Sequence, residues 1–124
     1  MKKFIIPLIP ALALLLVCSF AFAMKHTPEE RGKTLFNDPK FAGGQKACSQ
    51  CHPDGKGLQM AGDKKEFKIM GGKQMSLEEA VNVCIVNANK GKAIDTGSEQ
   101  MKDIVAYIKS LKPGKMEKET GGYK

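Results

Sequence analysis

The sequence predicts a small all-α domain, and three observations favour this fold class. Three stretches of the chain combine a helix N-cap signature with apolar residues at helical spacing. The sequence shows neither the apolar–polar alternation of a half-buried strand nor a glycine-rich phosphate loop. The length of 124 residues allows one small domain. We therefore expect helices and loops around a single core.

The first helix is predicted from Pro28 to Phe36. Thr27 is the expected N-cap, Pro28 suits the first helical position, and Glu30 completes a capping box with Thr27. The Asn-Asp-Pro segment that follows Phe36 carries the turn residues that end a helix.

Two further helices are predicted in the second half of the chain. Ser76 and Glu79 form a capping-box pattern for the second helix, and Gly91 is its stop signal. Ser98 caps the third helix, which Pro113 and the next glycine end. The apolar face of the second helix consists of Leu77, Ala80, Val81, Cys84 and Ala88. That of the third consists of Met101, Ile104, Val105, Ile108 and Leu111.

The two ends of the chain are expected to lie outside this domain. Residues 1–23 have a positive start, an apolar run and a small-x-small end, which is the pattern of a cleaved secretory signal peptide. A lipid anchor on Cys18 is less favoured, because Val17 is bulkier than the residue that usually precedes a lipidated cysteine. The domain then spans residues 24–114, and residues 115–124 form a solvated tail. We expect export to the periplasm without stable membrane insertion.

The mature chain is modestly basic and has an odd number of cysteines. Removing Lys2 and Lys3 from 20 basic residues leaves 18 against 13 acidic ones, a net charge of +5. The charge is scattered and aromatics are few, so nothing indicates nucleic acid binding. Cys48, Cys51 and Cys84 remain after cleavage, which argues against a simple disulfide framework in an oxidising compartment.

The stretch "ACSQCHPDGKG" contains the residues most suited to bind a metal or cofactor. Three kinds of site have to be considered for its two cysteines and its histidine. A structural zinc site needs four ligands, and His52 directly after Cys51 is poorly placed to share one metal with it. A thioredoxin-like dithiol needs a preceding strand in a βαβ setting, which the sequence lacks. The spacing suits a c-type haem: Cys48 and Cys51 would add to the two vinyl groups, and His52 would be the proximal iron ligand.

The loop between the first and second helices also favours a bound group. It is about 38 residues long and rich in glycine, and a structureless loop of this length is uncommon in a compact domain. The chain has no Trp and only 2 Tyr, so its own core is thin. One covalent haem c would fill that core, and the loop would wrap it.

The layout resembles small class I c-type cytochromes over nearly all of the mature chain. The segments "LFNDPK…GGQKACSQCHPDGKG" and "GSEQMKDIVAYIKSL" look like the two ends of bacterial monohaem cytochromes. The middle segment, "SLEEAVNVCIVNANKGKAID", is similar to haem domains of thiosulfate-dehydrogenase-type cytochromes. The first resemblance implies three main helices and long loops around one covalent haem, with one-electron transfer between redox partners.

The sixth iron ligand stays open at the level of the sequence. The class I family supplies a Met from the loop before the last helix, but "NKGKAIDTGS" contains none. Met101, in the first turn of the last helix, is the first choice for a distal ligand, although it also begins an apolar stripe. Cys84 is the alternative, because similar thiosulfate-dehydrogenase-type domains associate a cysteine at this position with the distal site. Weaker candidates are Met60, Met70, Met75 and His26.

Two functions are therefore expected. The first is a periplasmic electron carrier, not an enzyme, that acts as a monomer on redox partners with acidic docking faces. Lysines that could guide such partners are Lys46, Lys56, Lys73, Lys90 and Lys92. The alternative is a haem module with Cys84 as distal ligand or an open distal site, serving sulfur-compound oxidation or small-ligand sensing.

Overall fold

The computed structural model describes residues 26–113, which form three helices and one small β-hairpin. The proposed signal peptide and the proposed C-terminal tail lie outside the described residues. The elements are α1 (Pro28–Asn37), β1 (Phe67–Ile69), β2 (Gly72–Gln74), α2 (Leu77–Asn87) and α3 (Glu99–Ser110). Single 3-10 turns at Phe41–Gly43, Cys48–Gln50, Pro53–Gly55 and Ala61–Asp63 shape the chain between α1 and β1.

The N-terminus of α1 has the predicted capping box. The hydroxyl of Thr27 accepts the Glu30 amide at 3.3 Å, and the Glu30 carboxylate accepts the Thr27 amide at 2.9 Å. The helix extends to Asn37, one residue beyond the predicted end. Local residue chemistry thus defines the start of this helix.

The caps of α2 and α3 are serines, as predicted, but one detail of α2 differs. Ser76 accepts the Glu79 amide at 3.1 Å, and Ser98 accepts the Met101 amide at 3.2 Å. The Glu79 carboxylate, however, accepts the amide of Met75 at 2.8 Å and not that of Ser76. The reciprocal half of the predicted α2 capping box is therefore replaced by a bond one residue earlier.

The hairpin corrects the purely α-helical prediction. Its antiparallel register pairs Phe67 with Gln74 and Lys68 with Lys73. Met70 and Gly71 form the turn, both with positive φ, as a two-residue hairpin connection requires. Each strand has only three residues, which is too short for apolar–polar alternation to be detected in the sequence. The long loop is thus partly ordered by backbone pairing.

Helices α1 and α3 contact each other at very short range. A Cβ on Gly32 would collide with the backbone carbonyl of Asp103 and lie 2.8 Å from the Tyr107 Cβ. The Arg31 guanidinium donates two bonds to the Asp103 carboxylate, at 2.8 and 2.7 Å. The rings of Phe36 and Tyr107 pack edge to face with centroids 5.1 Å apart. Gly32 therefore permits an approach that the ion pair and the ring pair stabilise.

The core lies between α3, α2 and the hairpin. All five residues predicted as the apolar stripe of α3 are buried, and Met101 and Ile104 have no exposed surface. Ile85 of α2, Phe67 of β1 and Phe41 belong to the same cluster. A second, smaller cluster of Phe36, Tyr107 and Leu111 lies at the α1–α3 contact. The candidate site opens between these two clusters.

Candidate functional site

The Cys-x-x-Cys-His segment forms one tight turn of backbone. The amides of Cys51 and His52 both donate to the carbonyl of Cys48, at 3.2 and 3.0 Å. Both cysteines are free thiols. The turn packs against α1, so the first helix and the segment are held together. The two cysteines and the histidine thus lie on a single turn of backbone.

The His52 ring is oriented by a backbone contact of its own loop. Its Nδ1 lies 3.0 Å from the carbonyl oxygen of Lys56. Because a carbonyl can only accept, this contact requires a proton on Nδ1, and in the neutral ring that tautomer leaves the lone pair on Nε2. A donated Nδ1–H is the usual partner arrangement of a metal-binding histidine. The ring is therefore prepared to bind a metal through Nε2.

An apolar cavity with a volume of about 80 Å³, partly open to solvent, adjoins the motif. It is lined by Phe36, Cys48, His52, Leu58, Ala61, Phe67, Ile69, Leu77, Ala80, Val81, Cys84, Ile104 and Ile108. Every lining residue except two cysteines and one histidine is apolar. The walls come from all three helices, the hairpin and the loops, so the site depends on the whole fold. Such a cavity suits an apolar group that is held at one edge.

Cys84 lies on the wall of this cavity together with Cys48 and His52, although it is far from them in the sequence. The side chain is half-buried, and burial raises the pKa of the Cys84 thiol, with further increases from negative charge on Cys48 and Cys51. Burial also raises the pKa of the Cys48 thiol. The cavity thus brings together Cys48, His52 and Cys84, three of the four residues that the sequence had singled out, whereas Cys51 is exposed and does not line it.

Met101 occupies a different place. It has no exposed surface, it belongs to the main core cluster, and it is absent from the cavity wall. Met60, Met70 and Met75 are 54, 65 and 63% exposed and do not line the cavity either. His26 is exposed and lies 3.6 Å from the Glu30 carboxylate. Of the candidates for the distal side, Cys84 alone contacts the cavity within residues 26–113.

The structure also identifies a residue that the sequence did not single out. Asn89, only 4% exposed, donates through Nδ2 to the sulfur of Cys48 at 3.3 Å. The two residues are 41 positions apart, so no local pattern could have linked them. Asn89 therefore joins the site as a buried polar neighbour of the first cysteine.

Within residues 26–113, no group of three or more His, Cys, Asp or Glu side chains could hold a metal ion. None of the described helices has the length and apolar character needed to cross a bilayer.

The donors and the cavity fit a covalently attached haem. The free thiol of Cys48 and the ring of His52 line an apolar cavity, and the free thiol of Cys51 lies on the same backbone turn. Thiols add to the haem vinyl groups, and imidazole binds the iron. Cys48, Cys51 and His52 would hold the group, which would supply an Fe(III)/Fe(II) couple. Fold and site together define a c-type cytochrome domain.

The comparison with protein families agrees with this class. The family described as SoxA/TsdA, cytochrome c domain, matches residues 31–116, and the chain belongs to it. This match confirms the sequence-based resemblance to a small c-type cytochrome with a thiosulfate-dehydrogenase-type haem domain. No curated relative and no solved structure matches the chain.

Proposed function

We propose that this protein is an exported monohaem cytochrome that transfers single electrons between redox partners. The observation that carries the proposal is the position of Cys48 and His52 on the wall of one apolar cavity, with Cys51 on the same backbone turn. The described chain contains one such motif, which supports one haem c. An apolar wall would keep water from a bound iron and so would reduce the reorganisation that accompanies each electron transfer.

The distal ligand that we propose is Cys84 and not Met101. Cys84 is on the cavity wall, whereas Met101 is enclosed by core side chains. A thiolate donates more negative charge to iron than a thioether does, and it therefore stabilises the oxidised state. The expectation of a Met101-ligated, high-potential carrier is accordingly replaced by a lower-potential, cysteine-ligated haem.

A second candidate function follows from the same residue. A cysteine sulfur beside a haem can act on sulfur compounds, and the family match includes TsdA-type domains. In this reading the protein takes electrons from an inorganic sulfur compound such as thiosulfate, and does not only pass them between proteins. Rapid mixing of the oxidised protein with thiosulfate tests this function. Fast reduction of the haem would support an enzyme that oxidises thiosulfate, and no reduction would support an electron carrier.

Mass spectrometry and absorption spectroscopy test the proposed site. The mature protein should carry the mass of one haem, and this mass should be lost when Cys48 and Cys51 are both changed to Ser. Cys84→Ala should shift the Soret band of the oxidised protein, whereas Met101→Leu should not. Val83→Ala, on the same helix but away from the cavity wall, is the control. A normal Soret band in Cys84→Ala with a shifted band in Met101→Leu would restore Met101 as the ligand.

The partners and location that we propose are those of an exported basic carrier. Lys46, Lys56, Lys90 and Lys92 are exposed, which suits docking to acidic faces by electrostatic steering. Lys73 forms an ion pair with Glu66 at 2.6 Å and contributes less free charge. We propose a periplasmic monomer; a reduction rate by an acidic partner that does not fall with rising ionic strength would argue against this docking mode.

A further inference from the structure

Asn89, two residues after the end of α2, makes three hydrogen bonds to different parts of the chain. Its Nδ2 donates to the Cys48 sulfur at 3.3 Å, and its backbone amide donates to the Cys84 carbonyl at 3.0 Å. Its own carbonyl accepts the Gln45 amide at 2.8 Å. One buried residue thus contacts the first motif cysteine, the backbone of Cys84 and the loop that leads into the motif.

The chain around Asn89 is joined to that loop at a second point. Lys90 has a positive φ, and the Gly91 amide that follows donates to the Ile85 carbonyl at 2.9 Å. The Lys92 amide donates to the Ala42 carbonyl at 2.9 Å. A Cβ on Gly91 would lie 3.0 Å from the Ala42 carbonyl oxygen. The two segments therefore run in close contact, and Asn89 has little freedom to move relative to the motif.

We propose that Asn89 is a positioning residue that ties the Cys48 sulfur to helix α2 and thereby fixes Cys84 relative to the haem. The inference rests on the proposed haem and on Cys84 as its distal ligand. When a thiol adds across a vinyl double bond, the S–H and the π bond are consumed, an S–C bond forms, and the proton ends on the other vinyl carbon. The sulfur keeps its lone pairs, so it still accepts the Asn89 hydrogen bond after attachment.

The chemistry of the side chain accounts for the choice of Asn. A buried amide that loses its acceptor is left unsatisfied, so the Asn89–Cys48 contact is retained. Leu has a similar size but no donor, and Asp has the same shape but only accepts. Either replacement removes the side-chain bond to the Cys48 sulfur while keeping bulk at the position. Residues that orient a metal ligand indirectly are sensitive to such changes.

Asn87 provides a matched control two positions away. It is the last residue of α2 and is exposed, and its Nδ2 donates within the helix to the Val83 carbonyl at 2.8 Å. Holoproteins carrying Asn89→Leu, Asn89→Asp, Asn87→Leu and Asn87→Asp would be compared. The measurements are the electron paramagnetic resonance spectrum of the ferric haem, the midpoint potential, and the affinity for added imidazole.

The Asn89 variants should bind imidazole about tenfold more tightly than the parent protein, because a less restrained Cys84 is displaced more easily. Their midpoint potential should shift, and the Asn87 variants should match the parent. In a Cys84→Ala background, Asn89→Leu should have no further effect on imidazole affinity. If Asn89→Leu yields no holoprotein, Asn89→Ser, which keeps a donor, takes its place and should show a partial effect.

Equal behaviour of the Asn89 and Asn87 variants would overturn the inference. So would a lower thermal midpoint in the Asn89 variants with unchanged potential and imidazole affinity, because that pattern describes a purely structural residue. Absence of covalent haem from the parent protein would instead contradict the proposed function. The two failures are therefore distinguished by the mass of the parent protein.

Discussion

At the scale of single residues, the place of a sulfur-containing side chain in the fold decides whether it can reach the cavity. Cys84 and Met101 both lie on apolar helix faces, and both could donate sulfur to iron. The fold places Cys84 on the cavity wall and encloses Met101 among Phe41, Ile85 and Ile104. Cys84 is therefore the sulfur side chain available to a group in the cavity, whereas Met101 is part of the packed core.

Substitution of Met101 tests this assignment directly. Met101→Leu conserves volume and should cost less than about 1.5 kcal/mol of unfolding free energy. Met101→Ala leaves a cavity in the core and should cost about 2–5 kcal/mol. Both costs are measured by denaturant unfolding of the holoprotein. The midpoint potential should stay within error of the parent for Met101→Leu, and a large shift would show that Met101 binds the iron.

At the scale of elements, the contact of α1 with α3 holds the motif in place. The motif turn packs on α1, while α3 supplies Ile104 and Ile108 to the cavity wall. A change in the distance between these helices therefore moves the two sides of the site relative to each other. Gly32 permits the short distance because it has no side chain to collide with α3. The Arg31–Asp103 ion pair stabilises it electrostatically.

Gly32→Ala should destabilise the protein although alanine favours helices. The added methyl meets the Asp103 carbonyl backbone and the Tyr107 Cβ, so α1 must move away from α3. Overpacking of this kind costs about 1–3 kcal/mol. Lys33→Ala, at the next and exposed position, should stay within about 0.5 kcal/mol of the parent. Thermal or denaturant unfolding of both variants measures the difference; equal stabilities would contradict the close approach.

Loss of the Arg31–Asp103 pair should weaken the same contact. The short hydrogen bonds that Arg31 donates to Asp103 are the main cause of the raised pKa of Arg31. Asp103 is 7% exposed, whereas Glu99, 3.5 Å from the same guanidinium, is 82% exposed. Asp103→Asn should therefore lower the thermal midpoint clearly, and Glu99→Gln should lower it little. Equal midpoints for the two variants would show that burial of the pair adds nothing.

At the scale of the whole molecule, the fold surrounds a space that its own side chains do not fill. The cavity beside the motif is walled by residues from all three described helices and from the hairpin. An unfilled apolar space within a fold is unusual, because protein interiors pack to near crystal density. A covalent haem would supply the missing core, and cofactor attachment and folding would then be linked.

Removal of the attachment should therefore unfold more than the site. Cys48→Ser combined with Cys51→Ser prevents both thioethers, and the protein should lose cooperative thermal unfolding and much of its helical circular dichroism. Met60→Leu, at an exposed position away from the cavity wall, is the comparison and should unfold as the parent does. A haem-free double variant with parent-like helicity would show that the protein core suffices by itself.

Local chemistry determined much that could be predicted from the sequence. The serine and threonine caps, the apolar stripe of α3 and the Cys-x-x-Cys-His segment depend on residues a few positions apart, and the structure has all of them. The hairpin was missed because its strands are three residues long and its stability comes from packing on α2. Propensity does not detect such short elements.

The sequence by itself determined the class of protein, because the Cys-x-x-Cys-His pattern of a c-type haem site occupies five consecutive residues. Tertiary structure alone decided what faces the other side of the cavity. Cys84 and Met101 are indistinguishable by helical periodicity, and Asn89 reaches Cys48 across 41 positions. Which of them meets the cavity depends on how α2 and α3 pack, and this packing is a property of long-range contacts that no local pattern records.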